Sequence, residues 1–222
     1  MRILETKVYT FDELSEKAQA KALDHCREWS VDDGWWEFLY DDYTEKLKEF
    51  GYAVKDINFS GFWSQGDGAK FNGHVVKDHD QCLGLLQSRA CDLATRVRDF
   101  NAKCRLLGAE EIDLEVQAKI NSSGHYEHSG YMTLDAELYV NGGSDCYDFT
   151  EHPLRDEADA LLTSIDKAAY DLFDAIRDEA RGHADDIYRD LEKEYEWLTS
   201  DEQVAELIRI NDREFTEDGE LV

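Results

Sequence analysis

A glycine-rich stretch carries the first residues whose types and spacing suggest chemistry. In "GFWSQGDGAKFNGH", residues 61–74, the polar and aromatic residues Trp63, Gln65 and Asp67 lie between Gly61 and Gly68. A phosphate-binding loop needs a lysine followed by serine or threonine, and a helix directly after the loop. This stretch has neither feature, whereas glycine and aspartate together favour a tight turn. We therefore predict a β-hairpin turn with Phe62 or Trp63 on the core face.

Two histidines in "GHYEHSG" raise the question of a metal site. His125 and His128 flank Glu127, and His74 would add a third imidazole only if the two hairpins pair in that way. Imidazoles and carboxylates bind zinc, but a turn imposes no fixed spacing between ligands. Histidines of a surface turn are the plainer interpretation. The sequence accordingly predicts no metal and no cofactor.

The polar side chains of the two turns would line one site if the turns lie close together. This hypothetical site, of a small enzyme or a ligand-binding protein, comprises Trp63, Gln65, Asp67, His125 and His128. No nucleophile elbow and no Cys–His signature accompanies these residues. A protein that is not an enzyme is therefore the preferred interpretation.

The cysteines point to a reducing compartment. Their number is odd, and none stands in a CxxC pair. This pattern favours reduced, buried thiols over a disulfide framework or a zinc site. The five residues concerned are Cys26, Cys82, Cys91, Cys104 and Cys146.

A row of carboxylates is predicted along the C-terminal helical stretch. At about 100° per residue, six acidic residues fall on the side opposite the apolar stripe. They are Asp171, Asp174, Asp178, Asp185, Glu192 and Glu196. Carboxylates along a rod can imitate the charge track of a nucleic-acid backbone, which clefts rich in lysine and arginine bind. The alternative is an ordinary solvated face, diluted by Lys167, Arg189 and Lys193.

Helices and strands that would position these groups follow from the periodicity of apolar residues. Thr10 and Glu13 have the spacing of a capping box before the first helix, and Ser200 and Gln203 have it before the last. Further helices are predicted over residues 33–50, 80–107 and 154–198, and strands over 54–63, 69–76, 112–120 and 131–140. A small hairpin or an extended tail is predicted around residues 218–219.

Hairpins rather than strand–helix–strand alternation predict an α+β fold. The antiparallel sheet is built from two β-hairpins packed with several helices, and a long acidic helical segment follows. The predicted organisation is an α+β core, residues 1–153, and an acidic helical arm, residues 154–222, packed on that core as one domain. Gly182 is the expected kink or division of the arm.

The net charge excludes some partners and favours others. The chain of 222 residues has 51 acidic and 24 basic side chains, a formal net charge of −27, and residues 155–222 carry 22 acidic against 8 basic side chains. Such a field repels nucleic acid and anionic membranes and attracts basic proteins. No apolar run approaches the roughly 20 residues that span a bilayer, and no apolar leader opens the chain. We expect neither nucleic-acid binding nor membrane insertion.

Four stretches, in order along the chain, resemble one protein family. They are "YTFDELSEKAQAKA", "FSGFWSQGDGAKF", "SSGHYEHSG" and "EYEWLTSDEQVAELIRINDREFTEDGELV". Together they resemble small acidic proteins encoded by bacteriophages and prophages, generally without an assigned function. The resemblance implies an accessory factor acting in the cytoplasm of the bacterial host, and it supplies no catalytic residues. The preferred hypothesis is therefore a phage protein that binds a basic host or phage protein, in one version as an acidic mimic of nucleic acid.

Overall fold

A four-stranded antiparallel sheet forms the framework of the fold. The computed structural model describes residues 7–31, 34–89, 91–122, 124–141 and 152–222, with Cys91 by its backbone alone. The strands are β2 (Tyr52–Phe59), β3 (Ala69–Lys77), β4 (Leu114–Ser122) and β5 (Met132–Val140), and they are adjacent in that order. A further pair, β1 (Tyr9–Thr10) and β6 (Glu214–Phe215), is also antiparallel. Six helices complete the described chain, so the predicted α+β class is confirmed.

The register places alternate residues of all four strands on one buried face. Phe71 is opposite Ile57, Val75 is opposite Ala118, and Val116 is opposite Leu138. The alternation of apolar residues in the second hairpin, from which its strands were predicted, is the reason for this arrangement. Lys77, at the end of β3, occupies a position on the same buried face opposite Val116.

The helices are α1 (Glu16–Cys26), α2 (Glu37–Lys48), α3 (His79–Arg89), α4 (Cys91–Leu107), α5 (Arg155–Leu198) and α6 (Asp201–Ile210). Ser200 caps α6, because its hydroxyl accepts a hydrogen bond from the backbone N–H of Gln203 at 3.3 Å. The backbone N–H of Thr10 donates to the Glu13 carboxylate at 2.8 Å, as predicted. That capping box precedes a short 3-10 turn, however, and Ser15 caps α1 itself.

Three expectations about these elements were wrong. The helix predicted over residues 80–107 is two helices, α3 and α4. The Arg98 guanidinium donates to Gln87 at 3.0 Å, although a straight helix would separate these residues by about 16 Å. The strand predicted to reach Trp63 ends at Phe59, since a loop follows. Helix α5 continues through Gly182, because a lone glycine costs only about 1 kcal/mol in a long helix with a buried stripe.

The chain divides into two compact units. Unit 1 comprises residues 1–39 and 189–222, and unit 2 comprises residues 40–188. Helix α5 supplies residues to both. The domain boundaries expected from the sequence, 1–153 and 154–222, stay a prediction.

Unit 1 has its own apolar core. Helices α1 and α6 and the β1–β6 pair supply the buried residues Phe11, Leu14, Ala18, Ala22, Cys26, Val204, Ala205, Ile208 and Phe215. Arg209 pairs with Asp12 at 2.8 Å and Arg27 with Asp201 at 2.7 Å. The predicted C-terminal turn is present, since Phe215 bridges to Leu221 and Gly219 has a φ of 84°.

In unit 2, α5 is attached to the sheet through a buried ion pair. Lys77 is 2% exposed, and its Nζ lies 2.5 Å from Oε2 of Glu179 on α5. The same ammonium donates to the carbonyl of Phe50 at 2.6 Å and lies 4.5 Å from the centre of the Tyr52 ring. The Tyr52 hydroxyl donates to Glu179 at 2.7 Å. This cluster fixes which side of α5 faces solvent in unit 2.

Candidate functional site: two hairpin loops and an acidic helix face

The loop between β2 and β3, residues 60–68, is closed by its own hydrogen bonds. The backbone N–H of Ser60 donates to the carbonyl of Gly68 at 3.1 Å. The Asp67 carboxylate accepts from the N–H of Ser64 at 2.7 Å, and the N–H of Asp67 donates back to Ser64 at 3.1 Å. Asp67 therefore stabilises the turn, as expected from the preference of aspartate for tight turns.

The loop between β4 and β5 is closed in a similar way at His128. Nδ1 of His128 accepts a hydrogen bond from the backbone N–H of Gly130 at 2.9 Å, which opens a short 3-10 turn, Ser129–Tyr131. His125 is exposed, and its ring lies 5.4 Å from that of Tyr126. The two histidines thus act as a capping residue and a surface residue in this structure.

The two loops are in direct contact. A side-chain carbon at Gly66 would lie 2.8 Å from the Tyr126 ring, and one at Gly68 would lie 2.8 Å from the carbonyl oxygen of Glu127. Only glycine permits this approach at either position. The structure thus brings together the two turns that carry Trp63, Gln65, Asp67, His125 and His128.

A buried lysine supports the contact between the loops. Lys70, 5% exposed, lies with its Nζ 3.1 Å from the Glu127 carboxylate and 3.2 Å from the carbonyl oxygen of Tyr126, to which it donates. Burial and the nearby charge of Glu127 raise the pKa of Tyr40 to about 12, so this phenol remains neutral at physiological pH. Residues 124–128 are therefore held over the first strand pair by a salt bridge.

Trp63 points away from the core. Its neighbour Phe62 packs 5.8 Å from Phe59 and 5.5 Å from Tyr188 between ring centres, whereas Trp63 is 68% exposed. Trp63 also has a φ of 68°, the left-handed region that costs a residue with a side chain about 1–2 kcal/mol. A large aromatic residue in a strained and exposed conformation is an observation that motivates a functional hypothesis. Gln65 is exposed in the same loop.

The histidines do not assemble a metal site. His74 is exposed on the open face of the sheet, with Ala53 and Lys119 as its register partners. Within the described ranges, no group of three or more histidine, cysteine, aspartate or glutamate side chains could hold a metal ion.

The predicted acidic row belongs to α5, with four of its residues in unit 2 and two in unit 1. In unit 2, Asp171 and Asp185 are exposed, and neither makes an ion pair with any described residue. Asp174 pairs with Arg177 at 2.8 Å, and Asp178 pairs with Arg89 of α3. In unit 1, the Glu192 carboxylate is half-buried and that of Glu196 is exposed. Half of the unit 2 carboxylates in the row are therefore partly neutralised.

The two hairpin loops attach to α5 at positions that flank Asp185, one before it and one after it. Four residues earlier, the Arg181 guanidinium donates to the carbonyls of Gly130 and Met132 at 3.1 and 2.9 Å. Three residues later, the Tyr188 hydroxyl donates to the carbonyl of Gly61 at 3.4 Å. Positions three and four residues apart share one face of a helix, so the loops and this end of the row adjoin.

The cysteines that the structure describes with their side chains are buried and unpaired, as predicted: Cys26, Cys82 and Cys104. Cys146 and the side chain of Cys91 lie outside the described part. Burial raises the pKa of the Cys82 thiol to about 12. These thiols are therefore protonated and poor nucleophiles at neutral pH.

A Cys–His contact that the sequence did not reveal has the wrong hydrogen bonds for catalysis. Sγ of Cys104 lies 3.8 Å from Nε2 of His152. Nδ1 of His152 accepts from the backbone N–H of Leu154, so the proton is on Nε2, which donates to the carbonyl of Glu110 at 3.0 Å. Because Nε2 is already protonated, it cannot take the proton of the thiol.

The buried cluster around Lys77 was also missed. His183 packs between the rings of Phe50 and Tyr52, at 5.0 and 5.5 Å, and its Nε2 is buried without a hydrogen-bond partner among the described residues. Burial lowers the pKa of His183 and, together with the adjacent Glu179, raises that of Tyr52. Both side chains are thus neutral at pH 7.

Comparison with known proteins identifies the family. Residues 35–201 match the family described as a domain of unknown function, DUF8835, and the chain belongs to this family. No curated protein and no solved structure matches the chain. In the described part of the chain, no helix is both long and apolar enough to cross a membrane.

Proposed function

We propose that this protein acts by binding a basic protein through the acidic face of α5. The observation that carries the proposal is the pair of exposed carboxylates Asp171 and Asp185, on the side of α5 that faces away from the sheet. Fourteen residues of helix separate them by about 21 Å, which suits an extended basic surface better than a single cation. The net charge of −27 adds a long-range attraction that accelerates association with such a partner.

The resemblance to phage-encoded proteins suggests where this binding takes place. In the specific form of the proposal, the protein is a bacteriophage accessory factor in the host cytoplasm. It occupies the nucleic-acid site of a host defence nuclease, a repressor or a processing enzyme. The row of carboxylates then takes the place of backbone phosphates in a cleft rich in lysine and arginine.

Competition with DNA tests the mimicry. The tagged protein is used to capture partners from a lysate of infected bacteria at low salt, and double-stranded DNA is then added to the washed complex. We expect a basic, nucleic-acid-binding protein to be retained and then released by the DNA. Retention of such a partner without release by DNA would contradict mimicry, and retention of no basic partner would contradict the proposed function as a whole.

A second candidate function is a small enzyme or a ligand-binding protein with a site at the two loops. The direct contact of Gly66 with Tyr126 and of Gly68 with Glu127 favours this candidate, because it brings its five side chains to one end of unit 2. Charge reversal of Asp171 and Asp185, compared with alanine at Trp63 and His125, separates the two functions. The set of substitutions that abolishes the protein's phenotype, while the protein stays folded, identifies the functional surface.

A further inference from the structure

The outer surface of the joined hairpin loops is rich in exposed aromatic side chains. Trp63 belongs to the first loop, and Tyr126 and Tyr131 belong to the second; all three are exposed. The rings of Tyr126 and Tyr131 lie 6.0 Å apart. Tryptophan and tyrosine are enriched at the centres of protein interfaces, where they supply much of the binding energy.

The two loops that carry these aromatic side chains are held in place by contacts of their neighbours. Phe62 anchors the first loop against Tyr188, and the hydrogen bonds between Ser64 and Asp67 fix the turn that follows Trp63. The salt bridge between Lys70 and Glu127 anchors the second loop. Loops that are already fixed in this way lose little conformational entropy when they bind a partner.

The aromatic surface continues the acidic row. Arg181 and Tyr188 attach the two loops to α5 on either side of Asp185, whose carboxylate is exposed. We propose that Trp63 and Tyr126, together with Asp185, form a docking surface for an arginine-bearing segment of a protein partner. This inference rests on the proposed function, and it adds which side chain of the basic partner is recognised and where.

Arginine fits this combination better than lysine does. The planar guanidinium stacks on aromatic faces and forms paired hydrogen bonds with carboxylates, whereas the ammonium of lysine is a strongly hydrated point charge. Bases of a single-stranded nucleic acid also stack on aromatic rings. The net charge of −27 repels their phosphates, however, so charge complementarity favours the protein segment.

Two peptides of equal charge, nona-arginine and nona-lysine, test the inference by calorimetric titration at about 0.15 M salt, where long-range attraction is screened. Both should bind the protein, and nona-arginine should bind more tightly. Trp63→Asn removes the ring, and asparagine tolerates the left-handed backbone. We expect this variant to lose roughly two- to fivefold in affinity for nona-arginine and less than that for nona-lysine, so the preference for arginine shrinks. Trp197→Gln, at an exposed tryptophan of unit 1, is the matched control and should change neither affinity.

The possible failures are distinguishable. Equal affinities for the two peptides, or an unchanged preference for arginine in Trp63→Asn, would refute the arginine-docking surface. Neither result would contradict the proposal that the protein binds a basic partner. Tighter binding of a single-stranded oligothymidylate than of nona-arginine would overturn it in favour of nucleic acid. If neither peptide binds, both the docking surface and the proposal of a basic partner are refuted.

Discussion

Replacing Lys77 by methionine tests how α5 is held in the orientation that exposes its acidic face. The buried Lys77 ammonium contacts the Glu179 carboxylate at 2.5 Å and the carbonyl of Phe50 at 2.6 Å. Methionine keeps most of the aliphatic stem of Lys77, but it removes the ammonium that lies over the Tyr52 ring and leaves the Glu179 carboxylate without its cation. The substitution therefore removes the charge with little change in side-chain volume.

The expected loss of stability follows from the burial of the two partners. Breaking a fully buried ion pair by removing one partner costs about 3–5 kcal/mol. The Glu179 side chain is 27% exposed and keeps the hydrogen bond from Tyr52, so part of the desolvated charge regains water. We therefore expect a loss of about 2–3 kcal/mol for Lys77→Met. The double variant Lys77→Met/Glu179→Gln should recover at least half of this loss, because no unpaired charge remains.

Urea unfolding followed by circular dichroism measures this loss as a shift of the midpoint at constant m value. Lys48→Met is the matched control: Lys48 is 56% exposed and pairs with Glu45 at 2.6 Å, and such surface pairs contribute about 0–1 kcal/mol. Equal effects of the substitutions at Lys77 and Lys48 would refute the reasoning. A double variant less stable than Lys77→Met alone would refute it too.

Two further predictions concern α5. Burial lowers the pKa of His183 from its ordinary value of 6.5. Below pH 6.5 the unfolded chain therefore binds more protons than the folded chain, and the free energy of unfolding decreases as the pH is lowered. His183→Gln should lose less stability than the wild type between about pH 7 and 5, by at most about 1.4 kcal/mol per pH unit; parallel pH profiles would contradict this. Gly182→Ala should raise the free energy of unfolding by about 1 kcal/mol, since a side-chain carbon there meets open space in a helix. A lower unfolding midpoint for Gly182→Ala would show that the glycine has another role.

The buried ion pair is an example of a feature that the sequence contained but that was not recognised. Residues 69, 71, 73, 75 and 77 alternate towards the core, which assigns Lys77 to the buried face of β3. Helical periodicity likewise assigns Glu179 to the buried stripe of α5, three residues after Ile176. A cation and an anion, each at a core position of its own element, together predict a buried salt bridge. The strands of the second hairpin and the two ends of α5 were predicted to within two residues because their apolar patterns are long and regular.

The contact between the loops could not be predicted in the same way. It depends on the close approach of Gly66 to Tyr126, residues that are 60 positions apart in the sequence. Turn chemistry predicted a hairpin turn in the glycine-rich stretch "SQGDG", but local rules do not determine which surface a turn faces. The exposure of Trp63, similarly, follows from its left-handed backbone conformation after the strand ends at Phe59. Because the strand was predicted to continue through Phe62 and Trp63, the exposure of Trp63 was not predicted.

The affinity of the captured partner for two charge-matched variants tests the central claim most directly. Asp171→Asn/Asp185→Asn neutralises the exposed part of the row in unit 2, and it leaves Asp178 with its arginine partner. Asp99→Asn/Asp135→Asn removes the same charge from exposed positions on α4 and β5. If the acidic face of α5 is the binding surface, the first variant binds the partner more weakly and with a smaller salt dependence, whereas the second binds it almost as the wild type does. Equal affinities of the two variants would contradict the account.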